Sequence, residues 1–95
     1  EAFGMVAAEA AAAGVPPVVS EHSGLAEVAA GLAREYPPGL EHVSAFPTGD
    51  AAALRSRLAE ILALPPERRR ELGLAARRAV ERNWSWARIA ERLLI

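Results

Sequence analysis

Glu1 and Glu9 are carboxylates eight positions apart, with Phe3-Gly4 between them. Met5, Glu9 and the surrounding alanines are strong helix formers, so the pair straddles the start of a helix. A helix N-terminus carries unpaired N–H groups and partial positive charge, which suits a phosphate. Gly4 lets a ligand approach the backbone closely. With the helix beginning near Met5, Glu9 lies roughly 6–7 Å further along the axis, at about 1.5 Å per residue. Ionised carboxylates accept hydrogen bonds from vicinal hydroxyls. A ligand with hydroxyls at both ends and phosphates between them fits this layout. A nucleotide sugar has that shape: sugar near Glu1, pyrophosphate over the helix start, ribose near Glu9. The bland alternative is two solvated carboxylates that complement the helix dipole. Spacing alone favours the bland one, because acidic residues near helix starts are common.

Other groups carry less. Ser20-Glu21-His22-Ser23 has the residue types of a hydrolase, but adjacent residues do not converge as a triad. It reads as a polar loop at the carboxyl end of a strand, the edge where open α/β sheets bind ligands. His22 and His42 are too few and too scattered for a metal site. There is no Cys, which excludes disulfides, thiolate zinc sites and thiol catalysis. All 11 basic residues are Arg, so a Walker-type loop and a Schiff base are excluded as well. The net charge of −1 argues against a nucleic-acid partner. Arg68-Arg69-Arg70 and Arg77-Arg78 alternate with Glu67, Glu71 and Glu81, the pattern of a solvated helix face with i,i+4 pairs.

These residues need elements to hold them. The 95 residues make one small domain or part of one. Hydrophobic residues are 52%, enough for a core, and alanine alone fills 22 positions. The first helix runs from Gly4 to a C′ residue at Gly14. Pro16-Pro17 forbids helix, and Val18-Val19 reads as a short buried strand. Leu25 to about Ala33 is helical, with Leu25, Val28, Ala29 and Leu32 on one stripe. Residues 34–42 form a loop, Val43–Phe46 a second strand, and Asp50 caps the next helix. That helix carries Leu54, Leu58, Ile61 and Leu62 on one face, and Pro65-Pro66 ends it. A further helix from Pro66 or Glu67 carries Leu72, Ala76, Ala79 and Val80 inward and stops at Asn83. The last helix, capped by Ser85, presents Trp86, Ile89, Ala90, Leu93 and Leu94. Strands joined through helices imply a parallel sheet, and two short strands do not stand alone. The expectation is therefore an α/β fold whose remaining strands lie upstream of Glu1, in an internal piece of a longer cytoplasmic protein. No apolar run is long enough to cross a membrane.

The pattern resembles a known family. E-x-F-G-x-x-x-x-E, then E-A-x-A-x-G-x-P-x-V-x-S-x-x-x-G-L-x-E-V, is similar to the C-terminal donor-binding domain of the retaining, GT-B fold glycosyltransferases of family 4. Glu1, Phe3, Gly4 and Glu9 match its E-x7-E motif. Gly14, Pro16, Val18, Ser20, Gly24-Leu25 and Glu27-Val28 match the strand and turn. Pro47-Thr48-Gly49-Asp50, Pro66–Gly73 and Trp84-Ser85-Trp86 match the tail, so nearly the whole chain is covered. The chain departs from the family at Ser23 and Ala26, where Gly and Pro are usual, at Pro17, and in a longer stretch from Ala29 to Phe46.

The resemblance implies the second half of a Rossmann-like domain, helix-rich at its C-terminal end. Residues 1–95 would be part of the nucleotide-sugar-binding domain of a larger glycosyltransferase. Glu1 would sit beside the reacting anomeric centre as the catalytic carboxylate, and Glu9 would hold ribose hydroxyls. Backbone N–H groups around Phe3, Gly4 and Met5 would meet the sugar and the diphosphate, and Val6 would pack on the nucleoside. The implied reaction is transfer of a sugar from a nucleotide-diphosphate donor to an acceptor hydroxyl with retention, without a metal or other cofactor. It needs the N-terminal Rossmann domain as partner, so these residues alone would be inactive. The rivals are a non-catalytic Rossmann-like binding domain and another GT-B enzyme such as a nucleotide-sugar epimerase. Phe3-Gly4 between the glutamates weighs against the epimerase.

Overall fold

The structure is a computed structural model that describes residues 2–21 and 24–83. In chain order the elements are helix α1 (Ala2–Ala12), strand β1 (Val19–Ser20), helix α2 (Gly24–Glu35), a 3₁₀ turn (Glu41–Ser44), strand β2 (Ala45–Phe46), helix α3 (Ala51–Ala63) and helix α4 (Pro66–Asn83). The two strands pair in parallel, Val19 opposite Ala45 and Ser20 opposite Phe46. This is the helix-linked parallel sheet expected of an α/β chain. The expected last helix, from Ser85 through Leu94, lies outside the described residues.

Helix α1 stops where Gly14 allows it. Gly14 has φ +81, its N–H bonds Ala11 O at 2.9 Å, and Val15 N–H bonds Ala10 O at 2.9 Å. These are the two bonds of a Schellman cap, which needs a left-handed residue at C′. At its other end α1 begins at Ala2, two residues before the expected Gly4. Strand β1 sits one residue later than expected. Helix α2 continues through Arg34 and Glu35, which were expected to be loop. Glu35 lies 3.8 Å from Arg78 and 3.5 Å from Arg82, so its carboxylate ties α2 to α4. Val43 and Ser44 belong to the 3₁₀ turn rather than to a strand. The Ser44 hydroxyl donates to Glu41 O at 3.0 Å, and Val43 N–H donates to Leu40 O at 3.2 Å. A local side-chain bond of this kind competes with a ladder.

The core is built mostly from small side chains. Ala7 and Ala11 of α1, Val28, Ala29 and Leu32 of α2, and Leu72, Ala75, Ala76 and Ala79 of α4 are buried in one cluster with Val43 and Leu40. Helix α4 packs on both α1 and α2. Its approach to α1 is close enough that a methyl group on Gly73 would overlap the Gly14 carbonyl oxygen and lie 3.2 Å from the Gly14 carbonyl carbon.

Helix α3 corrects the expected inward stripe. Asp50 caps it as expected, its Oδ1 accepting from Ala53 N–H at 2.9 Å. Yet no residue of α3 is buried; Leu58 and Leu62 are exposed, while Leu54 and Ile61 are half-buried. Its main contacts are β2 and the 3₁₀ turn, so amphipathic spacing is present without a full partner among the described residues. Pro65-Pro66 separates α3 from α4, and Leu64 adopts the extended conformation that a following proline favours.

Candidate functional site

The site assembles at the end of β1. Alternation along the strands decides which peptide groups are free. Glu21 N–H donates to Phe46 O at 2.9 Å, so Val19 and Glu21 turn their peptide groups toward β2. Those of Val18 and Ser20 therefore point the other way. On β2 the outward carbonyl belongs to Ala45, and it accepts Arg57 Nε at 3.0 Å. A side chain of α3 thus occupies the outer edge of β2, while the outer edge of β1 has no such cap among the described residues. Pro17, without an N–H, falls on the β2 side before the ladder begins, where it removes no bond from the outer edge.

A cavity of about 600 Å³ is lined by Val6, Ala7 and Ala10 of α1, by Pro17 to Ser20, and by Leu25, Phe46 and Leu54. Ser20 is the one polar side chain among the described residues that line it. Its hydroxyl is 2.9 Å from Thr48 Oγ1, and Thr48 Oγ1 donates to Glu21 O at 2.9 Å. This arrangement ties the carboxyl ends of the two strands together across the turn after β2. Thr48 and Arg57 were not singled out from the sequence as functional. Thr48 stood in the Pro47–Asp50 turn, which was visible, but its bond to Ser20 spans 28 positions.

The residues expected to bind a donor are distributed along α1. Phe3 and Gly4 fall in the first turn, where helix geometry leaves N–H groups without intrahelical acceptors, and Met5 follows them. Val6 lines the cavity and is 62% exposed. Glu9 is exposed and does not line the cavity. With α1 starting at Ala2, Glu9 lies about 10 Å along the axis from the helix start, at ~1.5 Å per residue. Glu1 lies outside the described residues, as do His22 and Ser23 of the polar loop. His42 lies 2.8 and 2.7 Å from the two oxygens of Glu60, linking the 3₁₀ turn to α3. Among the described residues no group of three or more His, Cys, Asp or Glu is placed to hold a metal ion. On the arginine face of α4, Arg77 forms the expected i,i+4 pair with Glu81 at 3.5 Å, while Arg68 pairs three positions on with Glu71 at 2.6 Å.

Residues 1–93 match the family described as family 4 glycosyltransferase in conflict systems. The chain belongs to that glycosyltransferase family. Comparison with curated proteins and with solved structures gives no match. In this family 4 glycosyltransferase chain, the middle of α1 and the end of β1 meet at the cavity that Val6 and Ser20 share. No helix among the described residues is long and apolar enough to cross a membrane.

Proposed function

We propose that residues 1–95 form the second half of the C-terminal, nucleotide-sugar-binding domain of a larger, cytoplasmic GT-B glycosyltransferase. The parent enzyme transfers a sugar from a nucleotide-diphosphate donor to an acceptor hydroxyl with retention of anomeric configuration. The observation that carries this reading is the family match over residues 1–93, which includes both carboxylates of the α1 block. The family's description supports a role for the parent in a conflict system.

The edge of β1, uncapped among the described residues, supports the domain assignment. Two strands of two residues each are too little sheet to be stable alone. Arg57 closes the β2 side, so added strands fit on the β1 side. A parallel strand there, entering α1 by a right-handed crossover, would lie beneath Val6, Ala7 and Ala10 and fill much of the cavity.

In this reading Glu1 lies beside the reacting anomeric centre and is the catalytic carboxylate of this chain. The N–H groups around Phe3, Gly4 and Met5 receive the sugar and diphosphate, Val6 contacts the nucleoside, and Glu9 accepts from ribose hydroxyls. No metal is required. The α1 N-terminus and basic side chains of the N-terminal Rossmann domain offset the charge of the leaving diphosphate. The test is donor turnover by the full-length protein. Replacing a group that contacts the reacting centre removes transition-state stabilisation, so Glu1→Ala is expected to lower kcat by about 10²-fold or more. Glu9→Ala is expected to raise the donor KM about tenfold, as loss of charged hydrogen bonds to bound hydroxyls. Wild-type binding and turnover in both variants would sink the assignment.

A further inference from the structure

Ser20 stands apart in the cavity because every other described lining side chain is apolar. The direction of the Ser20 hydrogen bond follows from counting protons. A hydroxyl has one. Thr48 spends its proton on Glu21 O at 2.9 Å, so in the 2.9 Å contact between the hydroxyls Ser20 is the donor and Thr48 the acceptor. The Ser20 proton is thereby held toward the turn after β2. What remains of Ser20 is acceptor capacity, half-exposed at the last residue of β1. A strand added along β1 would fill the cavity below but leave this residue at the carboxyl rim, the edge where open α/β sheets bind ligands.

We propose that Ser20 is a specificity-determining acceptor of the donor site: its oxygen, polarised by Thr48, receives a hydroxyl hydrogen from the bound nucleotide sugar. This rests on the donor-binding reading above and names one further contact in it. An acceptor-only oxygen selects a ligand group that can donate. It therefore favours a ribose or sugar hydroxyl over a phosphate oxygen, which has no hydrogen to offer at neutral pH. The contact is independent of Glu1 and Glu9, because it comes from a different element.

The experiment measures calorimetric binding of nucleoside diphosphates to the full-length protein. UDP, GDP and ADP are screened first. The best binder is then compared with its 2′-deoxy and 3′-deoxy forms and with sugar-bearing donors of the same base, intact and singly deoxygenated on the sugar. Ser20→Ala is expected to weaken binding about 5- to 10-fold, the loss of one hydrogen bond. One deoxy compound should lose the same factor against wild type and lose nothing further against Ser20→Ala, a non-additivity that a merely structural role does not produce. The compound that shows it tells whether the partner is a ribose or a sugar hydroxyl. Ser20→Thr retains the oxygen and should retain the discrimination, which keeps the test valid if Ser20→Ala disturbs the strand. Wild-type affinity in Ser20→Ala, or deoxy penalties that persist in it, would overturn the Ser20 contact while leaving the donor-site reading intact. Failure of the wild type to bind any of the probes would overturn both.

Discussion

Tyr36 follows directly on α2, is 5% exposed, and its hydroxyl has no hydrogen-bond partner among the described residues. Burial disfavours the phenolate and raises the pKa far above the ordinary 10.0, so the side chain stays neutral. The raised folded-state value makes the group a stability switch at alkaline pH. Below pH 10 both folded and unfolded chains hold the proton and the linkage vanishes. Above it the unfolded chain releases the proton while the folded chain keeps it, so stability falls as pH rises. The slope approaches about 1.4 kcal/mol per pH unit for one proton. Urea titrations of the full-length protein from pH 8 to 11 are expected to show this loss, and Tyr36→Phe is expected to remove it. Because the hydroxyl is buried without a described partner, Tyr36→Phe should cost less than about 1 kcal/mol at pH 8.

Among the elements, the contact between α1 and α4 is the most exacting. Glycine inside a helix is ordinarily worse than alanine by about 0.5–1 kcal/mol, so propensity alone would make Gly73→Ala stabilising. Here the added methyl meets the Gly14 carbonyl, which is backbone and cannot rotate away. Overpacking of this kind costs about 1–3 kcal/mol and outweighs the propensity gain. Gly73→Ala is expected to be net destabilising by about 1–2 kcal/mol in chemical denaturation; a rise in stability would show that the helices separate freely. The same scale explains which elements were legible. Helix α4 was readable because Leu72, Ala76 and Ala79 repeat at helical spacing and do face the core. Asp50 and Gly14 were readable because caps are local devices that act within four or five residues. The stripe of α3 has the same periodicity as that of α4, yet Leu62 is 71% exposed. Periodicity identifies an apolar face but cannot supply the surface that covers it.

At the scale of the whole molecule, the sheet has one edge occupied by Arg57 and one edge uncapped among the described residues, and β1 helps to line an apolar cavity. On the proposed reading these 95 residues supply part of a donor site and no acceptor domain. Expressed alone, they are expected to give no detectable sugar transfer with any nucleotide-sugar donor that the full-length protein uses. Transfer by the isolated chain, followed by release of labelled product, would refute the proposed division of labour.

The residues proposed for the donor site were named from residue order alone, since Glu1, Phe3, Gly4 and Glu9 stand within nine positions and a helix start is a local event. The same holds for the Schellman cap at Gly14, the proline break before α4 and the exclusions that follow from having no Cys and no Lys. These depend on backbone sterics and on side-chain chemistry carried by near neighbours. Only the tertiary structure brought Thr48 to Ser20, Arg57 to the Ala45 carbonyl and Gly14 against Gly73. Ser20–Thr48 and Gly14–Gly73 join residues far apart in the chain, and Arg57 reaches Ala45 from another element. Spacing within a helix or strand does not encode such contacts, because they follow from how the elements pack.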